Sequence, residues 1–306
     1  MAKYILKRVV AAILTIWVLI TIVFFLVRLM PGEPFTSAKL TPEVKANMEA
    51  YYGFDKPMIV QYGTYMANLL QGDFGYSMKY TNRTVNDLIG ETFPYSADLG
   101  IRGLVMAVSI GLILGIISAR NRGKKIDFFC VIVAVLGTSI PDFIMGAVLQ
   151  YFFGIKWGLF PVARYEGIEY TILPAFALSF YTLASVSRIM RASMLEVTSQ
   201  DYIKTARSKG VSELRITCKH QIRNAIMPVM TVMGPTVASV LTGTFVIESI
   251  FAIPGMGRHY VQSVSNNDYS MVLGMTVFYG IFLVLCNLIV DVLYGVADPR
   301  VRIGKK

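Results

Sequence analysis

The apolar stretch from Val9 to Met30, interrupted only by Arg28 near its end, restricts this chain more than any other feature. As a helix its 22 residues reach roughly 33 Å, enough to cross a hydrocarbon core of about 30 Å. Runs of similar length follow at Leu99 to Ala119, Phe128 to Phe153, Tyr170 to Met190, Val229 to Ile247 and Met271 to Val290. The sequence therefore predicts an all-α, polytopic membrane protein with six transmembrane helices. Composition agrees: 55% hydrophobic and 16% charged residues are too apolar for a soluble core-and-surface design, and exclude a disordered or collagenous chain. Lys3, Lys7 and Arg8 give the start the look of a signal peptide. The run behind them is too long, and no clear small-x-small site follows, so it reads as an uncleaved anchor.

The charge balance, 29 Lys and Arg against 19 Asp and Glu, becomes informative once it is divided among connectors. Basic residues gather at the N-terminus, after the second run (Arg120, Arg122, Lys124, Lys125), after the fourth (Arg191, Lys204, Arg207, Lys209, Arg215, Lys219, Arg223) and in the tail. The alternate connectors carry few. By the positive-inside rule the chain is expected N-in and C-in, with the connectors after spans two and four on the inner side. This divides it into an anchor (1–30), an extracytoplasmic segment (31–96) and a five-helix core (97–306) with a large inner loop (191–228). Within the outer segment Thr41-Pro42-Glu43 is a helix start and Gly53 a stop, and a second helix is expected from Pro57 to Leu70. Asn82-Arg83-Thr84 matches a glycosylation acceptor, a pattern too short to carry weight.

Small residues recur every fourth position in the second run, at Gly103, Ala107, Gly111, Gly115 and Ala119, which predicts close packing of another helix. Pro141 should kink the third run and leave Asp142 deep in the membrane, the one acid there that requires a partner or water. Asp98, Glu248 and Asp291 are expected at interfaces, with Asp98 paired to Arg102 one turn on. The fifth run is rich in hydroxyls on a helix expected to be interrupted at Gly234-Pro235. Thr236, Ser239 and Thr242 either satisfy backbone carbonyls or, with Pro141 and Asp142, line a polar path.

No catalytic chemistry is legible. The chain lacks a phosphate-binding loop and a zinc-protease motif. Its two histidines, His220 and His259, lie in connectors, and Cys130, Cys218 and Cys286 have no metal-binding or disulfide spacing. An intramembrane protease is disfavoured because Gly137-Thr138-Ser139-Ile140 lacks the second glycine of a serine elbow. The most informative connector is the stretch from Tyr202 to Gly210, a short helix halted by glycine and followed by a second from about Ser212 to Asn224. Apolar residues at roughly helical spacing make the pair a folded knob.

Thr205-Ala206-Arg207-Ser208-Lys209-Gly210, with Arg223-Asn224-Ala225-Ile226-Met227-Pro228 downstream, resembles the inner loop of binding-protein-dependent ABC importer permeases. Lys204 and Thr205 depart from the generic motif, and the interval to Pro228 is longer, both as in the peptide branch. Gly72-Asp73-Phe74-Gly75-Tyr76-Ser77, Ser139-Ile140-Pro141-Asp142-Phe143, Glu248 to Gly257 and Asp298-Pro299-Arg300 are similar to the dipeptide/oligopeptide/nickel permeases, above all the first permease of oligopeptide importers. The resemblance implies the ABC importer permease fold in a bacterial cell membrane. It also implies a second permease, two cytoplasmic ATPases that use ATP and Mg, and an external binding protein delivering peptides. Tyr202, Lys204, Ala206, Arg207, Lys209 and Gly210 would couple the chain to the ATPases. A nickel complex or haem as cargo, or a stand-alone channel, are the alternatives. No nucleic-acid partner and no cofactor of its own are expected.

Overall fold

A computed structural model describes residues 2–29, 51–53, 55–79, 83–242 and 245–297. In chain order its helices are α1 (Ala2–Arg28), α2 (Met58–Leu70), α3 (Val85–Arg120), α4 (Lys125–Ser139), α5 (Asp142–Leu149) and α6 (Glu169–Thr198). They continue with α7 (Asp201–Ser208), α8 (Glu213–Arg215), α9 (Ile222–Ala225), α10 (Met227–Thr242), α11 (Phe245–Ile250), α12 (Met256–Ser265) and α13 (Tyr269–Ala297). Two π-helical segments, Gln150–Lys156 and Ile216–Gln221, extend α5 and join α8 to α9.

Among the described residues four helices are long and apolar enough to cross a membrane: Tyr4–Arg28, Val85–Arg120, Glu169–Thr198 and Tyr269–Val292. The expected third span is not one kinked helix but two, Lys125–Ser139 and Asp142–Lys156, bent by 111°. The cause is local. Pro141 has no N–H and crowds its predecessor, and Ile140 takes the extended conformation (φ −94°, ψ 121°) that the residue before a proline prefers. The fifth span also differs from expectation. Helix continues through Gly234-Pro235, and among the described residues Met227–Val237 is an apolar stretch of intermediate length. Helix α3 begins at Val85, well inside the segment assigned to the outer side, and carries Pro94 within it. The expected helix after Pro57 is present as α2, and Gly53 has the left-handed φ of +62° that suits a stop. The helix start at Thr41, Asn82 of the acceptor triplet and Asp298-Pro299-Arg300 lie outside the described residues.

The chain forms two compact units, Met1–Ser96 with Pro254–Ile289, and Ala97–Ile253 with Val290–Lys306. In the first, Ile20, Phe24 and Val27 of α1, Tyr65 of α2 and Tyr269, Val272, Leu273 and Val277 of α13 form one apolar cluster. The loop Gly72–Ser77 is fastened to it by polar groups. Buried Asp268 caps α13, its Oδ1 accepting from the backbone N–H groups of Met271 at 3.2 Å and Met78 at 3.1 Å. Its Oδ2 accepts from the Ser77 hydroxyl. Asn86 holds the other side of the loop, accepting from Phe74 N at 2.9 Å and donating to Gly72 O at 2.6 Å. Gly75 has φ +103°, and a Cβ there would meet the Tyr52 hydroxyl oxygen at 2.6 Å, so the glycine is required twice over.

The second unit is organised around α6. The small-residue stripe of α3 packs on it as expected: a Cβ on Gly111 would meet Leu183 O at 2.8 Å, and one on Gly115 would meet Ser187 O at 2.7 Å. Helix α4 uses the same device, since a Cβ on Gly137 would lie 2.6 Å from that of Ala184. Without side chains at these points, backbones approach closely enough for dispersion contacts to replace the hydrophobic force that hydrocarbon does not supply. Val186, Met190 and Met194 of α6 then bury against Ala225 and Val229. Among described helices α6 is the most enclosed, touching α4, α5, α10 and α11.

Candidate functional site

Breaking a helix inside an apolar run exposes backbone and makes space. The bend at Ile140-Pro141 opens onto a cavity of about 380 Å³ lined by Thr138, Ser139, Ile140, Pro141, Asp142 and Phe143, with Tyr181 of α6 and Val246 and Ile247 of α11. Asp142 is half-buried in the first turn of α5, where the helix dipole favours a negative charge. Among the described residues no hydrogen bond or ion pair engages its carboxylate. A second cavity in this unit, about 240 Å³, is lined by Val108, Leu112, Ile226, Val229, Met230, Met233 and Val290. Those side chains hold no polar group that could orient a ligand. The bend cavity combines an unpaired charge with the hydroxyls of Thr138, Ser139 and Tyr181.

Of the predicted path residues, Pro141 and Asp142 meet at this cavity, and Thr236 and Ser239 are not among its lining. Thr236 donates to Val232 O at 2.8 Å and Thr231 to Met227 O at 3.1 Å, the back-bonding by which membrane helices satisfy hydroxyls. Ser239 is exposed, and the Thr242 side chain lies outside the described residues.

The acids differ in burial within the fold, a property separate from membrane depth. Glu248 is fully buried in α11, and Asp142 is half-buried. The pair Asp98–Arg102 forms as predicted, at 2.7 Å, and the Tyr165 hydroxyl donates to the same carboxylate.

The knob is present. Helix α7 ends at Ser208, Lys209 N donates to Thr205 O at 3.1 Å, and Gly210 turns the chain at φ +74°. Ile203 and Ile216, both fully buried, fasten the hairpin, and Gln221 Nε2 donates to Thr198 Oγ1 of α6 at 3.0 Å. Its outer surface carries the predicted residues. Tyr202, Lys204, Arg207, Lys209 and Gly210 are exposed and Ala206 is half-buried. Lys204 pairs with Asp201 at 2.9 Å, the Tyr202 hydroxyl accepts from Asn224 at 3.1 Å, and Arg207 forks onto Glu213 at 2.6 and 3.1 Å. That fork holds the Glu213 carboxyl below its ordinary range.

One cluster escaped the sequence entirely. Asp127, in the first turn of α4, accepts from Arg191 of α6 at both oxygens (2.8 and 2.9 Å), from Ser118 Oγ at 2.5 Å and from Gly123 N at 3.0 Å. It fastens α3, α4 and α6 just before the knob begins. An acid following the basic run Arg120 to Lys125 was the only signal, and nothing local pointed to an arginine 64 positions away.

Long apolar helices locked by small-residue seams, a span broken around a cavity and a basic hairpin between helices define a polytopic membrane transport protein. The chain belongs to the binding-protein-dependent transport system inner membrane component family, which matches residues 111–303, with its N-terminal counterpart over residues 1–100. It is a multi-pass protein of the bacterial cell membrane. It is 45% identical to the dipeptide transport system permease protein DppB of Bacillus subtilis, the alignment covering 100% of each chain. It is 43% identical to the oligopeptide transport system permease protein OppB of Haemophilus influenzae over 99% of this chain and 100% of that one. Solved structures share the fold at 16% identity. An amino acid ABC transporter covers 68% of this chain and 94% of its own with TM-score 0.55, and the MetNI methionine transporter, inward facing, 69% and 96% with TM-score 0.57.

Proposed function

We propose that this chain is a permease subunit of an ATP-driven importer that moves dipeptides or oligopeptides delivered by an external binding protein. Full-length similarity to permeases named for those cargoes carries the reading. In it the chain crosses the membrane six times, N-in and C-in, pairs with a second permease, and hydrolyses nothing itself. Two ATPases on the inner face bind ATP and Mg. Their motion reaches the membrane through Tyr202 to Gly210, whose exposed face is offered on a hairpin anchored by Ile203 and Ile216. A rigid anchor under an exposed surface is what force transmission needs. The outer segment 31–96 would contribute to docking of the binding protein.

The test is co-purification with candidate ATPases, second permease and binding protein in lipid vesicles, followed by ATP hydrolysis with and without peptide. Peptide-stimulated hydrolysis coupled to uptake is the expected result. Peptide flux without ATP or partners would replace the reading with a stand-alone channel, and stimulation only by a nickel complex or haem would replace the cargo.

A further inference from the structure

We infer that Asp142 is a specificity-determining residue that pairs with a free ammonium group on the cargo as it passes the broken span. The inference rests on the peptide-importer reading and deepens it.

A carboxylate in an apolar run is costly and ordinarily has a partner or faces water. Asp98 is engaged with Arg102 and Tyr165, Asp127 with Arg191, Ser118 and Gly123, and Glu248 and Asp291 with contacts of their own, while Glu169 and Glu196, near the two ends of α6, are exposed. Asp142 has no such engagement among the described residues. It opens instead onto the cavity of about 380 Å³ created by the 111° bend, a space of the size that small organic ligands occupy.

The chemistry of the lining selects the ligand. A lone carboxylate is a poor cage for a metal ion, and the described residues hold no cluster of metal-ligating side chains. Thr138, Ser139 and Tyr181 supply neutral hydroxyls that can serve varied polar groups, while Ile140, Phe143, Val246 and Ile247 tolerate apolar ones. The single charge is negative, so the one feature of the cargo it can demand is a positive one. In peptides of any sequence that feature is the α-ammonium group. The site would thus read what all such cargoes share and remain indifferent to their side chains.

The experiment compares uptake of a peptide and its N-acetylated form by the full complex in vesicles, for the parent and for Asp142→Asn. The same binding protein loads both complexes, so its own selectivity divides out of the parent-to-variant comparison. The preference for the free amine should fall by about tenfold in Asp142→Asn, and Asp142→Glu should retain most of it. An unchanged preference in Asp142→Asn overturns the inference. So does loss of the second permease on purification of that variant, because the carboxylate would then pair with a neighbouring subunit. Should the variant fail to assemble for other reasons, a second measurement keeps Asp142 in place. In a background lacking Cys130, Cys218 and Cys286, free-amine peptide should protect Ser139→Cys from a water-soluble thiol reagent more than the acetylated peptide does. Equal protection refutes the role. Failure of the parent complex to take up peptide at all would instead sink the importer reading.

Discussion

Asp127, in the first turn of α4, and Asp142, just beyond its last, answer the problem of a carboxylate near hydrocarbon in opposite ways. Asp127 receives two hydrogen bonds from Arg191, one from Ser118 and one from a backbone N–H, with a side chain 9% exposed. Asp142 sits at a helix break, half-buried and facing open space. A group whose bonds are all made within the unit has become structure, and disturbing it should harm folding. A group held at a cavity without a partner contributes little to stability, so its role is to be sought in what enters the cavity.

The contrast can be broken most directly at Asp127. Asp127→Ala leaves the Arg191 guanidinium partly buried without its counter-charge and should destabilise by about 3–5 kcal/mol, read from the unfolding midpoint of the detergent-solubilised chain. Replacing both partners, as in Asp127→Asn with Arg191→Met, should recover much of that loss. If the single change leaves the midpoint where it was, the clasp is not structural and the comparison collapses.

Next in size is the α3–α6 seam. Gly115→Val places atoms within 2.7 Å of Ser187 O and the Met190 Cβ, and should lose about 1–3 kcal/mol by overpacking. Gly90→Ala, in the same helix with nothing within 4 Å of the added Cβ, should be neutral or gain up to about 1 kcal/mol from helix propensity. Equal effects at the two sites would mean that the seam does not set the helix spacing.

Gly210→Val is expected to have a smaller stability effect, about 1–2 kcal/mol from forcing a β-branched residue to φ +74°, but a larger functional one. ATP hydrolysis should persist while uptake falls, measured together in reconstituted vesicles. Intact uptake with intact stimulation would remove the coupling role from the turn.

The smallest effects sharpen the other side of the contrast. Asp142→Asn should shift the unfolding midpoint by no more than about 0.5 kcal/mol, as should Thr236→Val, which loses only a bond to its own helix. Labelling of Ser239→Cys by a water-soluble thiol reagent that is the same with and without ATP would leave α10 as a packing helix.

How much was legible depends on the range of the interaction responsible. The seam at Gly103, Gly111 and Gly115 was visible because a stripe at every fourth residue is a property of one helix. The knob was visible because a short amphipathic stretch and its glycine stop lie within ten residues of each other. The severity of the break at Pro141 was not, although its cause is local: proline predicts a kink, and whether the chain bends a little or by 111° depends on what packs against the second half. The full burial of Glu248 was not legible for a similar reason, since position along an apolar run says little about what packs against a side chain.

The sequence by itself determined that the chain is a helical membrane protein, that its second apolar run carries a face for close packing, and where its basic hairpin turns, because hydropathy, side-chain volume and backbone stereochemistry act over a few residues. Only the tertiary structure decided the partnerships of the charged groups. Arg191 meets Asp127 across 64 positions, and Asp268 fastens a loop near Ser77 across 191. Hydrogen bonds act over about 3 Å of space and are indifferent to distance along the chain. For that reason a sequence can show where a charge is costly, while the folded chain shows which charge has been satisfied and that Asp142 has not.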